Sequence, residues 1–157
     1  MVHAALIVER ASVDDLPAMV RILAEDEVGG KGDAWTPEFE PAYRKAFEEI
    51  LANPDHRLIV ARGEGAVLGF VHLYFLRGLP SHGRLKVVLN SVFVAAAARG
   101  KGVGARMVSA AEAMAREGGA TEATLTSNKK RVDAHRFYRT LGYEQRHEGF
   151  GKVLAGQ

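Results

Sequence analysis

An α/β fold is what the sequence predicts, and three observations predict it. Strand-like apolar runs alternate with segments whose apolar residues recur at helical spacing. Two of the runs, RLIVAR and AVLGFVHLYFL, are separated by a short GEG turn, the pattern of a β-hairpin. A third run, LKVVLNSVFV, leads directly into ARGKGVGARM, a glycine-rich turn that opens a helix. The 157 residues suit one domain with a sizeable core, so a single domain over residues 1–157 is expected.

The elements follow in order. LIVER (Leu6–Arg10) reads as a short strand. Ser12 and Asp15 form a capping-box-like start to a helix with Leu16, Met19, Val20 and Leu23 on one face. Pro17 sits in the first turn, where it costs least. Val28–Pro37 is a glycine-rich loop with the only tryptophan, and a second helix places Tyr43, Phe47, Ile50 and Leu51 together before Asn53–Asp55 ends it. Arg57–Arg62 and Ala66–Leu76 are the hairpin strands around Gly63–Gly65. Arg77–Arg84 is a loop, and Leu85–Val94 a mostly buried strand. From Val103, residues Val103, Met107, Ala110, Ala111 and Met114 keep helix spacing, with Glu112 and Arg116 paired on the other face. Gly118 and Gly119 stop that helix. Ala120–Ser127 reads as a strand and Asp133–Gly142 as a short helix, and YEQRHEGFGKVL as one or two closing strands.

Composition bounds the chemistry. The apolar fraction of 47% and charged fraction of 25% are those of an ordinary globular protein. A net charge of only +2 argues against a nucleic-acid binder working through bulk positive charge. The absence of cysteine excludes disulfides, thiolate metal sites and a cysteine nucleophile. The first fifteen residues meet charge too early for a signal peptide, and no apolar run approaches the roughly 20 residues of a membrane span. A soluble, cytoplasmic protein with no nucleic-acid or membrane partner is expected. The six histidines show no metal-ligand spacing, so no metal is expected.

The glycine turn calls for a reason, because glycine inside an element costs about 0.5–1 kcal/mol relative to alanine. At a helix start about four backbone N–H groups lack intrahelical partners, and the peptide dipoles add roughly half a positive charge. Gly100, Gly102 and Gly104 let a phosphate approach those groups, and Arg99 and Lys101 add charge at the rim. No GK[ST] follows at Walker spacing. Gly100, Gly102 and Ala105 do satisfy G-x-G-x-x-A, but the next strand ends in Thr126, Ser127 and Asn128 rather than an acid, which opposes a dinucleotide-binding oxidoreductase. The alternative is a glycine turn made only for tight packing.

Arg99–Gly104 resembles the R/Q-x-x-G-x-G/A signature of the GNAT superfamily of acetyl-CoA-dependent N-acetyltransferases. VLGFVHL and SVFV resemble that superfamily's third and fourth strands, and HRFYRTLGYE its F-Y-x-x-x-G-[FY] motif. The longer tail is similar to those of bacterial small-molecule members, including aminoalkylphosphonate acetyltransferases. The resemblance implies a mixed, mostly antiparallel sheet of six or seven strands flanked by about four helices and splayed between strands four and five. It implies acetyl-CoA as co-substrate. The pyrophosphate would rest on Arg99, Gly100, Lys101, Gly102, Val103, Gly104 and Ala105, and the pantetheine on the backbone of Val92, Phe93 and Val94. Tyr138 would face the sulfur as the acid. The superfamily's asparagine, seven residues before that tyrosine, has Arg131 at its place. Asn128, slightly earlier, is taken as the cofactor-contacting asparagine.

The chain departs from the pattern at Asn90, where related chains often carry a glutamate that removes the amine proton through water. An amide is no base near pH 7. Glu25, Asp26, Glu27 and His72 are the candidates to replace it, each also readable as a surface charge or satisfied polar contact. His135 reads as structural, and Lys129–Arg131 as a solvated turn. The expected activity is direct acetyl transfer to a primary amine of a small molecule. A peptide amine as acceptor and a non-catalytic acyl-CoA-binding module are the alternatives, and a homodimer is compatible with either.

Overall fold

The computed structural model describes residues 5–29 and 32–156. Gly30 and Lys31, within the expected Val28–Pro37 loop, lie outside them, as does His3. Up to Leu125 the chain forms one compact unit, and Thr126 onward a second.

The first unit is a five-stranded sheet in the order β1 (Ile7–Arg10), β2 (His56–Gly63), β3 (Ala66–Arg77), β4 (Leu85–Val94) and β5 (Glu122–Leu125). The first three pairings are antiparallel and β4–β5 is parallel. The hairpin between β2 and β3 closes at Gly63↔Ala66 around Glu64 and Gly65. Both turn residues have positive φ, +50° and +78°, as a turn that follows the strands' own twist requires. The parallel ladder runs only from Lys86↔Glu122 to Leu89↔Leu125, while β4 continues to Val94. Residues 90–94 of β4 therefore lie beyond its ladder with β5.

Helices α1 (Leu16–Ala24) and α2 (Glu40–Ala52) cover one face. Their Leu16, Met19, Val20, Ile22 and Phe47 form a core with Leu58, Val60 and Phe70 of the sheet. The start of α1 is fixed as expected: the Ser12 amide donates to Asp15 Oδ2 at 2.9 Å. Asp15 is only 5% exposed, and Arg62 Nη2 meets its Oδ1 at 2.9 Å while Arg62 Nε donates to Glu9. The buried carboxylate is thus paired, without which it would be costly. On α2, Leu51 is half exposed rather than core.

The long α4 (Val103–Glu117) packs on the opposite face through Val103, Met107, Val108, Ala111 and Ala115. Gly69 permits this, since a Cβ there would lie 2.6 Å from the Phe93 carbonyl and 2.8 Å from Met107 Cε. A single turn, α3 (Pro80–Gly83), stands in the expected loop. The second unit holds α5 (Val132–Thr140), stopped at Gly142 with φ +91°.

Two expectations are corrected. Among the described residues the sheet has five strands rather than six or seven, and residues 144–156 form no strand. Their apolar residues are too few and too interrupted by charge and glycine to give a strand a buried face. Phe150, Val153 and Leu154 are 95%, 85% and 91% exposed. Among the described residues α-helices number five rather than about four, the extra one being the single turn α3.

Candidate active site

At the glycine turn, Gly100 and Gly102 have φ of +75° and +81°, and Gly102 is the residue before α4. L side chains rarely adopt that backbone. A Cβ at either position would meet nothing within 4 Å. Tight packing is therefore not what keeps these two residues glycine; the left-handed turn needs them, and open space lies above it. Arg106 N donates to Gly102 O at 3.1 Å as the helix begins, so the N–H groups of Val103, Gly104 and Ala105 stand at its open end. Arg99 and Lys101 are exposed beside it. A cradle of this shape and charge fits a pyrophosphate. Glu25 is tied to the same region: its Oε2 accepts from Ala96 N at 2.7 Å.

The preceding strand carries Asn90 and the backbone of Val92–Val94. In β4, Val92 pairs with Val71, Phe93 with Phe70 and Val94 with Gly69. The Phe70 and Phe93 rings stack with centroids 5.5 Å apart, so these side chains pack as ordinary core. Next to them the register shifts. Leu73 faces Leu89 but His72 faces Ser91, leaving Asn90 as an extra residue. This β-bulge sets the Asn90 side chain at the exposed surface beside His72. Asn90 Nδ2 lies 3.3 Å from His72 Nδ1, and His72 Nε2 lies 2.8 Å from His56 Nδ1. A second bulge makes that last contact. Ala61 pairs with Gly69 but Arg62 with Val67, so Leu68 is extra in β3. Without it His56 would face Leu73 on the other side of the sheet. With it His56 faces Tyr74, stacks on its ring at 5.2 Å, and shares a face with His72. Burial and the neighbouring His56 push His72 down to about 4, so it is a neutral imidazole near pH 7.

In the second unit Tyr138 lies on α5, edge-on to Phe137 and Tyr143 at 5.1 and 5.9 Å. Burial raises its phenol above 10, against a smaller opposing effect of Arg131. It is a neutral proton donor at physiological pH. Asn128 shapes the turn before α5: its Oδ1 accepts from Lys130 N at 2.9 Å, and its carbonyl lies 2.9 Å from His135 Nε2. His135 is held there as a structural group. Of the remaining base candidates, Asp26 accepts from Val28 N at 3.3 Å and Glu27 is exposed. Among the described residues no group of three or more His, Asp or Glu could hold a metal ion, and no helix is long and apolar enough to cross a membrane.

The fold and this site define a class. The model of the acetyltransferase (GNAT) family matches residues 16–143, most of the chain, and the protein belongs to that family. It is an acyltransferase whose family uses acetyl-CoA. It is 34% identical over 113 residues to an aminoalkylphosphonate N-acetyltransferase of Salmonella typhimurium, covering 72% of this chain and 73% of that one. It is 26% identical over 116 residues to an aminoglycoside N(6')-acetyltransferase type 1 of Serratia marcescens, covering 71% and 78%. A solved structure of a protein described as a transcriptional regulator from Bacillus halodurans superposes with a TM-score of 0.91 at 33% identity, over 96% of this chain and all of that one.

Proposed function

We propose that the protein moves an acetyl group directly from acetyl-CoA to the primary amine of a small molecule. The observation that carries this is the open left-handed turn Arg99–Ala105 at the start of α4, immediately after a strand whose ladder with β5 stops short of its end. In this reading the pyrophosphate rests on that turn, and the pantetheine runs along the backbone of Val92, Phe93 and Val94. Tyr138 protonates the departing thiolate, and Asn128 contacts the cofactor through its side-chain amide. The reading treats residues 1–157 as one domain, supported by a family match that continues past Leu125 to residue 143. It places the enzyme in the cytoplasm, where acetyl-CoA is made available. Transfer is direct because the chain has no cysteine to hold the acyl group.

For the acceptor, the 34% identity to an aminoalkylphosphonate enzyme favours a short amine bearing an anionic group. The test is thiol release from acetyl-CoA with aminoalkylphosphonates, aminoglycosides, simple alkylamines and peptide amines. Turnover of a small amine is expected. Turnover of peptides alone moves the substrate class. Cofactor binding with no turnover of any amine leaves the second reading, a non-catalytic acyl-CoA-binding module, which Asn90 in place of a carboxylate favours.

A further inference from the structure

We propose that His72, His56 and Asn90 form a proton relay that takes the proton of the acceptor ammonium and releases it on the far side of the hairpin. The inference rests on the acetyltransferase reading and supplies the base that Asn90 cannot be. The proposed direction starts from the Asn90 amide nitrogen, which lies 3.3 Å from His72 Nδ1. A side-chain amide nitrogen can only donate, so Asn90 Nδ2 donates to His72 Nδ1. His72 therefore carries its hydrogen on Nε2 and donates it to His56 Nδ1 at 2.8 Å. The hydrogen of His56 is then on Nε2. The Asn90 end is exposed. The His56 end borders an open depression lined by Leu51, Asn53, Pro54, Arg57 and Arg10. Both ends of the chain reach solvent while its middle is half buried.

The step balances as follows. The amine arrives as an ammonium and gives one proton to His72 Nδ1, where the Asn90 amide turns so that Oδ1 accepts it. His72 passes its Nε2 hydrogen to His56 Nδ1, and His56 releases its Nε2 hydrogen to water. Between turnovers His72 Nδ1 loses its hydrogen to water at the exposed Asn90 end. His56 returns its Nδ1 hydrogen to His72 Nε2 and regains one on Nε2 from water, with no net proton change. The freed lone pair forms the N–C bond at the thioester carbonyl and the C–S bond breaks. The thiolate is protonated, and the second amine proton makes good that loss. Ammonium and thioester become amide, thiol and one proton in water. His72 touches the reacting amine; His56 acts through it as a positioning residue.

Among the described residues, the charged and titratable groups nearest the relay are otherwise engaged or lie at its edge. Arg57 points away, its guanidinium held over Phe75 and on the carbonyls of Pro54 and His56. Tyr74 from β3 stacks on His56. Lys86 on β4 occupies the same face opposite Leu76. Asp55, in the turn before β2, is exposed and engages β3 through its carbonyl rather than its carboxylate. Arg10 from β1 borders the depression. None of these is a carboxylate aimed at His72.

The test is the pH profile of kcat/KM for the alkylamine that turns over fastest, in wild type, His72→Gln and His56→Gln. In wild type the profile should level off well below the amine's own pKa. In His72→Gln the value should fall about 100-fold near pH 7. It should recover to within about threefold by roughly pH 10, where the amine loses its proton unaided. His56→Gln should show the same pattern with a smaller loss. A loss that is equal at every pH, or none, overturns the relay and leaves the transferase reading intact. Absence of wild-type turnover with any amine overturns both. A measurement on the unaltered protein stands apart from any folding defect: the imidazole nitrogen shifts of His72 at neutral pH should report hydrogen on Nε2. Hydrogen on Nδ1 overturns the relay.

Discussion

The turn at Arg99–Ala105 and the chain His56–His72–Asn90 are both built from backbone that leaves its regular path, but by different means. At the turn, Gly100 and Gly102 take left-handed φ within a single loop, and the neighbours that complete the cradle adjoin them in sequence. The histidine chain needs three strands. It exists because Leu68 is an extra residue in β3 and Asn90 an extra residue in β4. Local geometry shapes the turn; non-local register shapes the histidine chain. The first rests on a backbone that L side chains rarely adopt, whereas the second needs particular side chains as well as the register.

The largest expected effect comes from breaking the first. Gly102→Glu puts a side chain on a φ of +81° and a carboxylate into the open space above the turn. Acetyl-CoA affinity by calorimetry should fall about 100-fold or more, from strain of roughly 1–3 kcal/mol joined to charge repulsion. Gly102→Ala isolates the strain, since its Cβ meets nothing within 4 Å. It should cost about tenfold at most. Unchanged affinity in the glutamate variant places the pyrophosphate elsewhere.

Tyr138→Phe sharpens the contrast between delivering a proton and removing one. In the proposed role the phenol, neutral at physiological pH and kept more firmly so by burial, acts only when charge develops on sulfur. Single-turnover kcat should fall by about 100-fold with acetyl-CoA affinity nearly unchanged. Unlike the His72 variant, the loss should not disappear as the amine deprotonates. Full activity in the phenylalanine variant removes Tyr138 from the mechanism.

These differences explain what the sequence made legible. RGKGVG could be read because a left-handed turn before a helix is specified by adjacent residues. The hairpin was legible from GEG, and α4 from its period. His72 was readable as a candidate base, but His56 was not. Counting back from Gly63↔Ala66 with a regular ladder pairs His56 with Leu73, on the wrong face. Only the extra residue at Leu68 brings the two rings together; Gly69 beside it is the one sign in VLGFVHL, because a glycine inside a strand pattern marks either a bulge or a close approach without saying which. The closing strands failed for a different reason. Phe150, Val153 and Leu154 suggest a strand, but they are too few and too interrupted by glycine and charge to give it a buried face, and they stay exposed.

A smaller effect tests whether the Asn90 bulge couples to His72. Asn90→Asp places a carboxylate at the position from which Nδ2 reaches His72 Nδ1 at 3.3 Å. An adjacent negative charge favours the imidazolium, so the titration of His72 followed by NMR should rise from about 4 by about one unit or more. No movement means that the side chain at the bulge does not face the ring in solution.

The smallest effect is on stability, and its sign follows from the same ring. Burial, with His56 beside it, holds His72 at about 4 in the folded protein. An unfolded chain returns it to about 6.5. Between those values the unfolded state binds more protons, so stability falls as pH falls. The contribution is fully present above the unfolded value, is lost progressively on acidification, and levels off below the folded one. His72→Gln removes this term together with the hydrogen bonds to His56 and Asn90. At neutral pH the variant should melt slightly lower than wild type, since one half-buried and one exposed hydrogen bond are gone. As pH drops toward about 4 the deficit should narrow, because only wild type must then hold a neutral ring against protonation. Thermal unfolding of both proteins at neutral pH and at two points on the acid side measures the difference directly. A deficit that stays constant across that window means that His72 is not held neutral by the fold. The ring could then take a proton by itself, and the bond to His56 would not be required for removing it.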